Sequence, residues 1–165
     1  PETQQTLGYE AIYLGTAQIT RPGEPSTFVV STAVREIGTG DNLVSAGKPM
    51  AINYAPHAPA KQIRGRVMGL YGGVSKTGEA GPYSIVTINR GKADGLEPGH
   101  VLALYSLGGT VRDASKARNA PDAQIHLPDE HAGLVFVFRV FERVSYALVM
   151  NITRPVKALD VVQTP

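Results

Sequence analysis

The sequence predicts an all-β protein built from two related small β units of barrel or sandwich character, with at most one short helix. β-Branched and aromatic runs of strand length recur between Gly, Pro, Asn and Asp residues along the whole chain. Long helical periodicity is hard to find. A segment near the start of the chain is also repeated near its end, which is typical of one ancestral unit used twice.

The Gly, Pro, Asn and Asp residues mark the expected ends of the strands. The expected strands are residues 9–20, 27–35, 63–71, 83–89, 100–105, 133–142, 145–153 and 160–163. The short helix is expected within residues 113–123, where Asp113 caps its start and Pro121 ends it.

Two late strands carry the clearest patterns. In "SYALVMNIT" the apolar face of Tyr146, Leu148, Met150 and Ile152 is the expected core face, and the opposite face is mixed. "GLVFVFRVF" is apolar on both faces apart from Arg139. This pattern favours a central strand in a closed or double-layered sheet.

A wide, glycine-rich turn is expected between two strands in "NRGKADGLEPGH". Its structural residues are Gly91, Asp94, Gly95 and Gly99. The glycine spacing does not indicate a phosphate loop, because strand rather than helix follows it.

The internal repeat aligns residues 27–44 with residues 146–162. Arg35 then falls on Arg154 and Asp41 on Asp160, each 119 positions later. Upstream, residues 8–19 resemble residues 133–144. We therefore expect a partial first β repeat in residues 1–55, a linker in residues 56–61 and a complete repeat in residues 62–165. Because the chain begins at Pro1 without methionine, we also expect it to be a trimmed piece of a longer protein.

Composition excludes several classes of function. With 42% hydrophobic and 18% charged residues, the chain has the apolar content for a core, which argues against intrinsic disorder. The absence of cysteine excludes disulfides, cysteine nucleophiles and thiolate metal sites. A net charge of +2 is too small to indicate a nucleic-acid or anionic-membrane partner, and no apolar run has the length of a membrane span.

Several segments carry a family resemblance, among them "LGYEAIYLGTAQI", "VTINRGKADGLEPGHVLALY", "LPDEHAGLVFVFRVFERVSYALVM" and "RPVKALDVVQTP". Together they are similar to the C-terminal portion of bacterial LysM-domain-containing, peptidoglycan-binding proteins. The resemblance implies an exported protein of the periplasm or cell envelope. It also implies peptidoglycan as a partner, bound through a LysM module upstream.

The sequence departs from that family in two places. No LysM-like βααβ segment is present, so no glycan-binding residue can be assigned here. The glycine before Asp41 in "GTGDNL" is also replaced by Leu159 in "KALDVV", which puts the shape of the second turn in doubt. The expected function is therefore non-catalytic: a β region that positions or assembles a LysM module at the wall, with self-association or an envelope protein as further partners.

Few residues point to a site. Arg64, Arg66, Arg90 and Lys92 form a candidate polar surface, and Asp41 and Asp160 are expected to cap their own turns. No catalytic residue, cofactor or metal ligand is assigned. The histidines of "HLPDEH", His126 and His131, are five residues apart and flank Pro128, which suits neither one helix face nor one strand face.

Two alternatives stay open. A peptidoglycan hydrolase needs paired carboxylates in a pocket, which Asp129, Glu130 and Glu142 would have to supply. A small nucleic-acid-binding barrel needs aromatic platforms such as Tyr71 and Tyr105 beside the basic residues.

Overall fold

The computed structural model describes residues 3–47, 54–71, 78–116 and 123–165. The chain divides into two compact units, one formed by Tyr9–Ala51 and the other by Pro1–Gly8 with Ile52–Pro165. Each unit is described by itself below.

The all-β prediction is confirmed. The described residues form the strands β1 (Gly15–Arg21), β2 (Thr27–Ala33), β3 (Arg64–Leu70), β4 (Glu79–Ala80), β5 (Ile85–Ile88), β6 (Val101–Ser106), β7 (Thr110–Arg112), β8 (Gln124–His126), β9 (Glu130–Val140), β10 (Ser145–Ile152), β11 (Val156–Lys157) and β12 (Val161–Gln163). Lys92–Asp94 form a 3-10 turn.

A closed six-stranded antiparallel barrel forms the centre of the larger unit. Its strands follow the order β10-β5-β3-β12-β6-β9, and β9 closes the circle by pairing with β10. The interior is filled by fully buried side chains: Val67, Val86, Ile88, Leu102, Leu104, Val135, Val137, Ala147, Val149 and Val162. Closure leaves none of these six strands with an open edge.

The structure corrects the expected core face of β10. Ala147 and Val149 point into the barrel, whereas the face of Tyr146 and Leu148 is half-buried outside it. A small closed barrel has little interior volume, and Ala147 and Val149 fill less of it than Tyr146 and Leu148 would. Long β9 lies between β6 and β10, in the central position that its apolar pattern predicts.

Four short strands were not expected from the sequence. β4 pairs with β11, and β7 pairs with β8, each as a separate two-stranded sheet. The predicted helix is not seen in its described part: Asp113–Lys116 form a turn in which Asp113 Oδ1 accepts from the Ser115 N–H at 2.9 Å. Residues 117–122 lie outside the described residues.

The wide turn between β5 and β6 rests on the β9–β10 connection. Lys92 and Ala93 donate their N–H groups to the carbonyls of Phe141 and Glu142, at 2.8 and 3.0 Å. Gly91 allows this approach, because a side chain there would collide with both carbonyl oxygens. The turn therefore joins β5 and β6 to the hairpin that both of them flank.

The smaller unit contains the antiparallel hairpin of β1 and β2. Val34 N–H donates to the Leu14 carbonyl at 2.8 Å and extends the hairpin beyond its strands. Every residue of β2 is exposed.

Candidate functional site

The β1–β2 hairpin reproduces the register of the β9–β10 hairpin. The matching pairs are Gly15–Ala33 with Gly133–Ile152, Ala17–Val30 with Val135–Val149, Gln18–Val29 with Phe136–Leu148, Ile19–Phe28 with Val137–Ala147, and Arg21–Thr27 with Arg139–Tyr146. The first strands are offset by 118 positions and the second strands by 119. Both hairpins skip one residue at the same place, Thr20 in β1 and Phe138 in β9.

This register corrects the upstream alignment. Gly133 is equivalent to Gly15 rather than to Gly8. At both positions a side chain would collide with a backbone oxygen of the partner strand, that of Thr32 or of Asn151. The strand-end hydrogen bond is also repeated: Thr153 N–H donates to the Ala132 carbonyl at 2.8 Å, as Val34 does to Leu14.

Asp41 and Asp160 occupy equivalent turns in the two repeats. Asp41 Oδ2 accepts from the Gly38 N–H at 2.7 Å, and Asp160 Oδ2 accepts from the Lys157 N–H at 2.8 Å. The leucine that replaces glycine keeps this turn, since Gly40 has φ +102° and Leu159 has φ +77°. A leucine with positive φ adds backbone strain on the order of 1 kcal/mol, which the stability of the surrounding barrel offsets.

The equivalence shows which face of the smaller hairpin corresponds to a core. Ala17, Ile19, Phe28 and Val30 match the fully buried Val135, Val137, Ala147 and Val149. They form the inner face of the hairpin, and Ile19, Phe28 and Val30 are exposed. Downstream, the exposed Ile37 and Leu43 match the fully buried Val156 and Val162.

The two hairpins also differ in the hydrogen bonding of their outer strand edges. β9 pairs on its outer side with β6, and β10 with β5. Within the described ranges, β1 and β2 pair only with each other. The smaller hairpin therefore has an apolar face whose equivalent is buried in the barrel, and two strand edges whose equivalents are hydrogen-bonded to neighbouring strands there. Sequence reasoning missed this face because it aligned Gly133 with Gly8, seven residues before its equivalent, Gly15.

Three of the four predicted basic residues make contacts within the chain. Arg64 Nη2 lies 3.2 Å from Asp129 Oδ2, and Arg66 Nη1 donates to the Leu159 carbonyl at 3.1 Å. Arg90 lies 3.6 Å from Asp94 through Nε, whereas Lys92 is exposed on the 3-10 turn. The ion pairs of Arg64 and Arg90 partly offset the positive charge that these two side chains offer to a polyanion.

The predicted turn residues hold the wide turn together. Asp94 Oδ2 accepts from the Gly91 N–H at 3.0 Å. Gly95 and Gly99 have φ +86° and +104°, the left-handed conformation that favours glycine. These residues position β5 and β6 against the β9–β10 hairpin.

The end of this turn brings two histidines together. His57 lies in the predicted linker and bridges to His100: its N–H donates to the Gly99 carbonyl at 3.0 Å, and Val101 N–H donates to its carbonyl at 2.8 Å. The ring centroids are 4.8 Å apart in an edge-to-face contact. With Glu97 they offer three ligand atoms that all lie within 4.8 Å of one another.

The hydrogen bonds define the protons of both rings. His57 Nδ1 lies 2.9 Å from the Ala55 carbonyl, which can only accept, so Nδ1 carries a proton, and in the neutral ring Nε2 has a free lone pair. His100 Nδ1 instead accepts from the Glu97 N–H at 3.1 Å. Burial, followed by the neighbouring His57, lowers the pKa of His100 against an opposing effect of Glu97, so the ring is neutral at neutral pH.

Two observations among the described residues bear on the alternative functions. An open cleft of about 130 Å³ is lined by a single carboxylate residue, Glu130, which forms an ion pair with Arg154. Paired carboxylates facing a sugar are not seen in this cleft.

Tyr71 packs edge-to-face on Tyr146, at 5.3 Å between ring centroids, and so does Phe141 at 5.5 Å. Such packing among side chains leaves less ring surface for a base to stack on.

No known protein family matches this chain, and no curated protein matches it either. Among the described residues, no helix is long and apolar enough to cross a membrane.

Proposed function

We propose that this protein is a non-catalytic β region that assembles by strand pairing, acting beside a LysM module in an exported cell-envelope protein. The β1–β2 hairpin is the assembling element. Its partner is a pair of antiparallel strands of the β5 and β6 type, supplied by another polypeptide segment, and together they form a second barrel wall.

The inner face of the hairpin is the observation that carries this proposal. Four positions equivalent to barrel core are apolar in the hairpin, and three of them, Ile19, Phe28 and Val30, are exposed. Fully burying an exposed Val, Ile or Phe contributes about 1.5–3 kcal/mol, so covering this face supplies a substantial driving force. An isolated two-stranded hairpin is marginal in water, and added strands are the usual way to stabilise it.

The barrel indicates what a fitting partner looks like. A strand on the β1 side corresponds to β6, and a strand on the β2 side corresponds to β5, because these flank the equivalent hairpin. Main-chain hydrogen bonds along both edges then give affinity, while the apolar face sets which side of the partner is buried.

The cell-envelope part of the proposal rests on the resemblance to LysM-associated proteins. A wall-binding module placed next to an assembly element is held in position, or clustered, by the assembly. Peptidoglycan is then contacted by the LysM module, and the β region contributes geometry and avidity rather than a sugar site.

A peptide of residues 85–106 tests the pairing, since it carries β5, the wide turn and β6 in one segment. We expect it to bind the full chain and to slow hydrogen exchange at amides of residues 15–33, as new strand pairing protects edge amides. A scrambled peptide of the same composition is the control for nonspecific apolar binding.

Two neighbouring valines provide matched variants. Val30 lies on the inner face and is 49% exposed, whereas Val29 lies on the outer face and is 54% exposed. Val30→Asp should abolish peptide protection, and Val29→Asp should leave it. Equal loss in both variants, or protection by the scrambled peptide, would contradict the proposal. Protection of residues 15–33 that rises with chain concentration alone would make a second copy the partner instead.

A further inference from the structure

We infer that His57, Glu97 and His100 form a binding site for a divalent transition-metal ion of the Zn²⁺ class. Two imidazole nitrogens and one carboxylate oxygen are a common ligand set for zinc, which binds nitrogen at about 2.0–2.1 Å and oxygen at about 2.0–2.2 Å. The three ligand atoms already lie within 4.8 Å of one another.

Only a small movement is needed to close the site. Tetrahedral bonds of about 2.1 Å place ligand atoms roughly 3.4 Å apart. His57 and Glu97 are exposed, so their side chains have room to move inward until the ligand atoms reach this tetrahedral separation, while buried His100 stays in place. The site thus has one fixed ligand and two adjustable ones.

The backbone holds the two histidines at this distance. Both main-chain bonds of His57 go to the residues on either side of His100, so the two Cα atoms are bridged rather than merely near. Gly99 is part of the arrangement, because a Cβ there would lie 3.0 Å from His57 Cε1. A larger residue at position 99 would push the His57 ring away.

The hydrogen bond of the His57 ring suits metal binding by the neutral imidazole. Its Nδ1–H donates to the Ala55 carbonyl, which orients the ring and leaves the Nε2 lone pair available. Metal-bound histidines usually have this second hydrogen bond to a carbonyl or carboxylate.

The His100 ring must exchange one hydrogen bond for the metal. Its Nδ1 accepts from the Glu97 N–H, so in the neutral ring Nε2 carries the proton. Ligation through Nδ1 displaces that N–H directly. Ligation through Nε2 moves the proton to Nδ1, which also breaks the bond. On either route the Glu97 amide loses its acceptor, which makes this amide a specific reporter of metal binding.

Three protein ligands leave a fourth position for water or for an oxygen of another ligand. The exposure of His57 and Glu97 places that position towards solvent. The other two histidines are arranged differently: His126 lies on β8, 3.4 Å from the Thr110 hydroxyl, and His131 packs edge-to-face on Tyr105.

Calorimetric titration of the chelator-treated full chain with Zn²⁺ tests the inference. We expect one ion per chain, binding at least about tenfold weaker in His57→Ala and clearly weaker in Glu97→Gln. His126→Ala is the matched control and should bind as the unaltered chain does. Circular dichroism of each variant checks its fold, and Glu97→Gln, an exposed and isosteric change, carries the test if His57→Ala is misfolded.

The amide signal of Glu97 in a nitrogen–proton NMR spectrum is the second readout. It should shift on adding Zn²⁺, and the amide should exchange faster with solvent. The inference is overturned if Zn²⁺ does not bind, if both site variants bind it normally, if His126→Ala loses it equally, or if the Glu97 amide is unaffected in the bound state.

Discussion

Asp160 illustrates how one side chain serves more than its local turn. Besides the Lys157 N–H, it accepts from the Leu107 N–H at 3.1 Å through Oδ1, and it is almost fully buried. It therefore joins the turn before β12 to the end of β6. Asp41 makes the equivalent local bond but is exposed.

Replacing Asp160 by alanine should lower the free energy of unfolding by about 2 kcal/mol, because two N–H groups lose their acceptor in a buried place. Urea unfolding followed by circular dichroism measures this. Asp41→Ala is the matched control, and it should change the free energy of unfolding by less than about 0.5 kcal/mol, as exposed substitutions usually do. Equal effects at both positions would show that the burial of Asp160 is unimportant.

Local chemistry predicts such turns well, since the bond from an aspartate to an N–H three residues earlier is encoded within four residues. The His57–His100 contact was not predicted. It depends on a main-chain bridge between segments more than 40 positions apart, and no local pattern reports it.

Among the secondary-structure elements, the two hairpins share one register, although one lies in a closed barrel and the other forms a separate two-stranded sheet. Gly15 and Gly133 are placed where the partner strand comes closest, and Gly133 also has φ +154°. The hairpin register therefore depends on a residue without a Cβ at this point.

Gly133→Ala should destabilise the barrel by about 3 kcal/mol, combining backbone strain with a collision against the Asn151 oxygen. Gly109→Ala is the control, because no atom lies within 4 Å of a Cβ built there. Thermal unfolding of both variants gives the comparison. A stable Gly133→Ala variant would mean that the strands can separate at this position without loss.

The long strands were predictable from their apolar runs, while β4, β7, β8 and β11 were not. These have only two or three residues each. So few residues carry no periodicity, and their pairing is set by the strands and turns beside them.

At the scale of the whole molecule, the chain carries one closed barrel and one hairpin equivalent to part of such a barrel. The barrel satisfies every edge of its six strands, and the described hairpin does not. This contrast underlies the proposal that the protein assembles, rather than binding sugar through its own surface.

We expect the chain alone to co-sediment weakly or not at all with purified insoluble peptidoglycan, and not to clear a peptidoglycan suspension. A fusion protein that joins the chain to a LysM module should co-sediment and serves as the positive control. Tight sedimentation of the chain alone would place a glycan site within it, and clearing of the suspension would favour the hydrolase.

The β class, the wide turn and the repeated aspartate turn were predictable from the sequence, because they depend on residues close together in the chain. Three features required the three-dimensional structure: which face of β10 is core, which residues align in the first strands, and that His57 contacts His100. Barrel closure limits the interior volume and so sets the core face of β10. Strand pairing in each hairpin sets the alignment, and a main-chain bridge between distant segments brings His57 to His100. Local propensity contains none of that information.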